Sequence, residues 1–336
     1  MIKEKTIMIL GAGASMDYGF PSGKELVKEI CRPICTSDPR YPDPRSSTIT
    51  ADDLKQCGID TEHYVNFQGE LLKSRLSVDA FIENRPKYDE IGRKAIAIVL
   101  LRCEDEKRLF WGTEDYLYFE QLRKSNGGGI WYDLILDHIA KPFSFDDFGK
   151  NALSFVTFNY DRSLEHFLFS SLKSSSDRNE NECKQKVSEI PIIHVYGSLG
   201  PLPWQEYPGI PYDRRKNRKH ASESSEHIHL IREGGEETIS AEFKRAHDLL
   251  EDAERIFLLG FGFDYTNIRR LKLKELVKGK EVRATCLGLS QSVKHIIEHR
   301  PRRVRTGMAD IDDIIDFDKM VDSTVYEFLH DKAVLD

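Results

Sequence analysis

The chain has 336 residues, 40% of them hydrophobic and 31% charged, with a formal net charge of −7. That size suits one large α/β domain with insertions or two modest domains, and the composition is that of an ordinary soluble globular protein. The net charge supplies no field to draw in nucleic acid or an anionic membrane, and the best apolar run, Ile96 to Leu101, falls far short of the roughly 20 residues that span a bilayer.

At the N-terminus, Lys3 and Lys5 precede an apolar stretch, Thr6 to Leu10, and Ala12-Gly13-Ala14 imitates a small-residue cleavage site. Glu4 within the charged part and the interrupting glycines argue against a secretory leader. The six cysteines, at 31, 35, 57, 103, 183 and 286, are scattered, which favours a reducing cytoplasm. Cys31 and Cys35 form the one close pair, with no second pair to complete a four-cysteine zinc site. No metal is expected.

Ile7 to Leu10 reads as a strand, followed by Gly11-Ala12-Gly13-Ala14-Ser15 and a helix from Ser22 to Ile30, opened by a capping-box pattern of Ser22 and Glu25. Residues 36–60 read as a loop. The stretch 61–141 reads as mostly helical, broken at Asn126 to Gly129, and forms an insertion of residues 36–141. Ala152 to Phe158 is a predicted strand leading into a helix through Leu172, and Ser174 to Glu189 a polar surface loop. Ile190 to Tyr196 is the next strand. Trp204 to Glu237 reads as irregular and carries a basic run of Arg214, Arg215, Lys216, Arg218 and Lys219, taken as a solvated loop. A helix (Glu242 to Ala253), a strand (Arg255 to Gly260), a helix (Asn267 to Val277) and a strand (Val282 to Leu289) follow. The tail, 307–336, ends in a predicted helix, Asp318 to Leu329. Alternating strands and helices predict a Rossmann-like, mainly parallel sheet with helices on both faces, built from residues 1–35 and 142–306.

Five strand ends carry residues suited to a ligand. Small residues in Gly11-Ala12-Gly13-Ala14-Ser15 let backbone approach a pyrophosphate; read blandly, the same residues make only a tight strand-to-helix turn. Ser15 and Met16 stand where the usual dinucleotide fingerprint has its third glycine, which weakens an ordinary dehydrogenase reading. Thr157-Phe158-Asn159-Tyr160-Asp161 places polar groups at a carboxyl end, with Asn159 suited to ribose hydroxyls or a water, and Asp161 to a ribose hydroxyl or a helix cap. His194 in His194-Val195-Tyr196-Gly197-Ser198 is the best general-base candidate, or else a core histidine satisfied by backbone. Gly260-Phe261-Gly262 and Leu287-Gly288-Leu289-Ser290 are further points of close backbone approach.

The first four of these segments, together with Phe20-Pro21-Ser22-Gly23 and Ser77-Val78-Asp79-Ala80-Phe81, resemble in order the sirtuin-like (silent information regulator) family, and most closely its bacterial anti-phage defence branch. The resemblance runs from about residue 5 to 290. It implies that NAD is bound as substrate by Gly11, Ala12, Gly13, Ala14, Ser15, Phe20, Thr157, Asn159, Asp161, Gly197, Gly260, Gly262 and Ser290. It further implies that Asn159 takes part in cleaving the nicotinamide–ribose bond. Two departures stand out. The four-cysteine zinc module of deacylase sirtuins is missing, and Tyr196 occupies the place before Gly197 where the family has its catalytic histidine. Residues two apart on a strand share a face about 6.5–7 Å apart, so His194 is expected to serve the same pocket, or Tyr196 to act through its phenol. The resemblance implies an NAD hydrolase that depletes NAD in defence, a homo-oligomer, and a partner in trans such as a HerA-type ATPase or a short Argonaute. Direct nucleic-acid binding is not expected. The alternatives are another NAD-consuming enzyme (an ADP-ribosyltransferase or deacylase) and a non-catalytic NAD or ADP-ribose sensor.

Overall fold

A computed structural model describes residues 1–34, 49–110, 130–140, 145–213, 215, 217–229, 240–289, 320–331, 333 and 335. Six strands form one parallel sheet: β1 (Thr6–Leu10), β2 (Leu153–Thr157), β3 (Ile192–His194), β4 (Arg255–Leu259), β5 (Glu281–Thr285) and β6 (Met320–Val321). Their order is β3-β2-β1-β4-β5-β6. β1 and β4 are buried at every position, as strands covered on both faces must be. The chain adds β2 and β3 to one side of β1, then crosses over to add β4, β5 and β6 to the other. Right-handed crossovers therefore put the connecting helices on opposite faces, which makes the architecture Rossmann-like, with a switch point between β1 and β4.

The register fixes where a site can form. Leu10 lies opposite both Thr157 and Leu259, and Thr157 lies opposite His194. Four carboxyl ends thus finish level, and the residues that follow them meet in one crevice.

Between β1 and β2 run α1 (Gly23–Ile30), α2 (Ala51–Gln56), α3 (Thr61–Ser74), α4 (Val78–Asn84), α5 (Asp89–Leu101) and α6 (Trp131–Ala140). The Ser22–Glu25 capping box is present at α1. α2 lies inside the stretch expected to be loop, started by its own capping box of Thr50 and Asp53. The predicted break at residues 126–129 lies outside the described residues. α5 is the most buried of these helices, Ala95 through Leu101 all lying in the core that the insertion shares with the sheet.

After β2 come α7 (Ser163–Ser175) and α8 (Glu180–Ser188). The second replaces most of the polar loop expected there. Asn179 and Glu182 close a capping box, and Cys183 and Val187, one helical turn apart, are buried. Only a narrow stripe is apolar, which is why polarity hid the helix. Then follow α9 (Ala221–Glu226), α10 (Ala241–Asp252), α11 (Tyr265–Arg270), α12 (Leu273–Leu276) and α13 (Val325–Asp331). The single helix expected from Asn267 to Val277 is split at Lys272, which has φ 51°. In the tail, β6 pairs with Ala284 and Thr285 ahead of a helix shorter than expected. A two-residue strand carries no periodicity to read.

Among the described residues no helix is long and apolar enough to cross a membrane.

Candidate functional site at the carboxyl ends of the strands

The loop after β1 enters a 3-10 turn, Ala12–Tyr18, and is pinned from several sides. Gly13 N donates to Gly260 O at 3.0 Å, and Trp131 Nε1 donates to Ala14 O at 2.8 Å. A Cβ on Gly13 would stand 2.8 Å from Gly260 Cα, and one on Gly11 2.5 Å from Gly260 O. Gly260, with φ 56°, would in turn drive a Cβ to 2.1 Å from Ala14 N. These glycines are small because the loops after β1 and β4 cross backbone on backbone. Gly262 differs: a Cβ there meets nothing within 4 Å.

Ser15, Asn159 and Asp161 form one hydrogen-bonded set. Asn159 Nδ2 donates to Gly11 O at 2.9 Å and to Ser15 Oγ at 3.0 Å, and Ser15 Oγ donates to Asp161 Oδ2 at 2.7 Å. Thr157 Oγ1 accepts Asn159 N at 3.0 Å, tightening the turn out of β2. With both amide protons engaged, Asn159 keeps its Oδ1 as an acceptor with no partner among the described residues. Asp161 is buried, and its Oδ1 accepts from Ser163 N at 3.2 Å and from the Ser163 hydroxyl. Burial raises its pKa, against the hydrogen bonds from Ser163 and Ser15 that lower it. Asp161 therefore serves both as a cap for the start of α7 and as an anchor for Ser15.

A cavity of about 100 Å³ opens onto this set, lined by Ala12, Ser15, Phe20, Asn159 and Asp161 among others. Five of the expected residues thus share one wall. Asp79 lines the same cavity and accepts the Tyr160 hydroxyl at 2.5 Å, which ties α4 to the site. Ser290 lies outside the described residues, as do Arg214 and Lys216 of the basic run.

His194 and Tyr196 share no hydrogen-bond partner. β3 ends at His194, and Val195 and Tyr196 form a turn closed by Gly197 N donating to His194 O at 3.2 Å. The two-residue pleat stops applying there, and the two rings take different partners. His194 Nδ1 donates to Asn159 O at 2.7 Å, and Nε2 meets Glu165 Oε1 at 2.6 Å. Burial alone would lower the imidazole pKa, but the Glu165 carboxylate and both hydrogen bonds outweigh it and raise the value. Both ring nitrogens are engaged by oxygens of the protein itself. Tyr196 donates to Asn267 Oδ1 and accepts from Arg270 Nη1, each at 2.7 Å, and Arg270 also pairs with Glu83 at 3.3 Å. Burial pushes the phenol up to about 12, against the lowering influence of Arg270. Both side chains are thus held by partners within the protein. Gly197, with φ 75°, packs against His227 O and serves the backbone.

Sequence reading missed Glu165, Asn267 and Arg270, which sit on helices with no motif to mark them. Their roles exist only through contact with His194 and Tyr196. Among the described residues no group of three or more His, Cys, Asp or Glu side chains is placed to hold a metal.

Compared with family models and with curated proteins, the chain matches none.

Proposed function

We propose that the crevice at the carboxyl ends of β1, β2 and β4 binds NAD, and that the chain is an NAD+ hydrolase releasing nicotinamide and ADP-ribose. The observation that carries this reading is the Asn159 amide, locked by Gly11 O and Ser15 Oγ with its Oδ1 left as a free acceptor beside the sheet's switch point. An NAD ribose in the crevice would lay a hydroxyl, or the attacking water, against that oxygen. Breaking the C1′–N bond sends its electron pair to nicotinamide, which leaves neutral. Water then supplies the oxygen to C1′ and loses its proton to solvent. Because the leaving group needs no protonation, positioning carries most of the catalysis. His194 acts here as a positioning residue, holding the Asn159 carbonyl from the other side. The family resemblance supports a role in defence by NAD depletion, as a homo-oligomer with a partner such as a HerA-type ATPase or a short Argonaute.

A second reading, a non-catalytic sensor of NAD or ADP-ribose, is favoured by one observation: Tyr196 and His194 are both committed to internal hydrogen bonds. Nicotinamide release by the purified chain decides between the two. Turnover that Asn159→Ala abolishes supports the hydrolase; tight NAD binding without nicotinamide release supports the sensor. Absence of NAD binding overturns both.

A further inference from the structure

α3 turns Tyr64, Phe67, Gln68 and Leu71 into the interior. A helix packed on one side ordinarily shows water a polar face on the other. Here Val65 is 51% exposed and Leu72 56%, and Leu76, just past the helix, is 42% exposed. Of the eight large hydrophobic side chains exposed among the described residues, these three fall between residues 65 and 76. A single exposed hydrophobic residue needs no explanation, but a stripe of them marks a contact surface.

Gly69 lies on the same face, between Val65 and Leu72. Glycine inside a helix costs stability relative to alanine, and a Cβ at Gly69 would meet nothing within 4 Å. The chain's own packing therefore does not require it. The close approach of a second backbone would.

The charges beside the stripe say which backbone. Glu62 stands in the first turn of α3 and Lys73 in the last. Eleven residues separate them, three turns that return to the same side of the helix within about 20°. Arg75 follows at the C-cap. Among the described residues none of these three side chains has a hydrogen-bond or ion-pair partner. Glu70, by contrast, is already held by Arg85 and Lys87. A second α3 laid antiparallel, with a two-fold axis near Gly69, sets Val65 beside the partner's Leu72. The same operation brings Glu62 to the partner's Lys73 and Arg75. A two-fold axis makes every such contact twice, so the stripe and its charges complement themselves. Parallel pairing would instead set Glu62 against the partner's Glu62.

We propose that α3 is a homodimer interface, on which two copies of this chain meet antiparallel along Val65, Gly69, Leu72 and Leu76. The interface does not depend on the NAD-hydrolase reading. One helix face from each copy is a small contact, so the dimer dissociates in the micromolar range.

Sedimentation equilibrium of the full chain between about 1 and 100 µM tests it. A reversible dimer is expected. Leu72→Asp, at an exposed position, buries an unpaired charge only in the dimer and should weaken it at least about tenfold. Gly69→Ala separates association from folding. It should weaken the dimer by about tenfold, because the added Cβ overpacks the crossing, yet raise the melting temperature measured at the dilute end. Glu62→Lys should weaken the dimer severalfold, and adding Lys73→Glu should restore most of the loss. A monomer throughout that range overturns the proposal and leaves the stripe to a different protein. A dimer as tight in Leu72→Asp and Gly69→Ala as in the wild type overturns it by placing the interface elsewhere.

Discussion

The Asn159 amide divides its hydrogen-bonding capacity: two donors stiffen the loop after β1, and its Oδ1 keeps no partner among the described residues on a side chain that lines the cavity. Asn159→Ala should therefore abolish nicotinamide release and also lower stability by about 1–2 kcal/mol, as Gly11 O and Ser15 lose a donor. Equilibrium urea unfolding measures the second effect, and near wild-type turnover would remove Asn159 from the mechanism. His194 is a different case. Its raised pKa contributes stability that is fully present below the unfolded value of about 6.5 and is lost as pH rises through the folded value. The wild-type urea midpoint should thus fall between about pH 6 and the alkaline side of the folded pKa, and this fall should vanish in His194→Gln. Turnover should decline over the same alkaline window. A general base at His194 would instead make turnover rise with pH, which is the profile that would refute the ion-pair assignment.

At the scale of elements, the crossing of the loops after β1 and β4 makes a glycine series informative. Gly13→Val puts a branched side chain against Gly260 backbone at under 3 Å, and Gly260→Ala adds a Cβ at a positive φ in the same crossing. Both should cost several kcal/mol, on the order of 3 or more, because backbone on each side leaves nothing able to move aside. The expected readout is a lowered melting temperature, with loss of NAD affinity as a consequence of the displaced loop. Gly262→Ala meets open space and should melt within a few degrees of wild type. If Gly13→Val lost NAD binding with an unchanged melting temperature, the glycine would be serving the ligand rather than the crossing.

Across the whole molecule, one buried ion pair joins parts far apart in sequence. Arg162, at the start of α7, pairs with Glu104, just beyond α5, at 2.6 Å, with side chains 1% and 0% exposed. The same guanidinium donates to Gly200 O and Ile210 O, and Asn217 Nδ2 donates to Glu104 at 2.7 Å. Helical insertion, α7 and the chain at Gly200 and Ile210 are thereby tied to one point. Glu104→Ala leaves a buried cation without its counter-charge and should destabilise by about 3–5 kcal/mol. Urea unfolding is the direct measurement. A change of under 1 kcal/mol would mean that water reaches the pair.

What the sequence determined by itself is local. The alternation of apolar runs and amphipathic stretches specified a parallel α/β sheet, and Ser22 with Glu25 marked the start of α1, because both signals lie within a few residues. Ser15, Asn159 and Asp161 were legible as site candidates for a related reason: a polar group just past a buried strand stands where the sheet opens. Tertiary structure alone decided the rest. Whether Gly13 makes room for a ligand or for Gly260 depends on a loop nearly 250 residues away. His194 is engaged by Glu165, and Tyr196 by Asn267 and Arg270, partners that no spacing announces. Proton affinity and free hydrogen-bonding capacity belong to an environment, and the environment is assembled only when the chain folds.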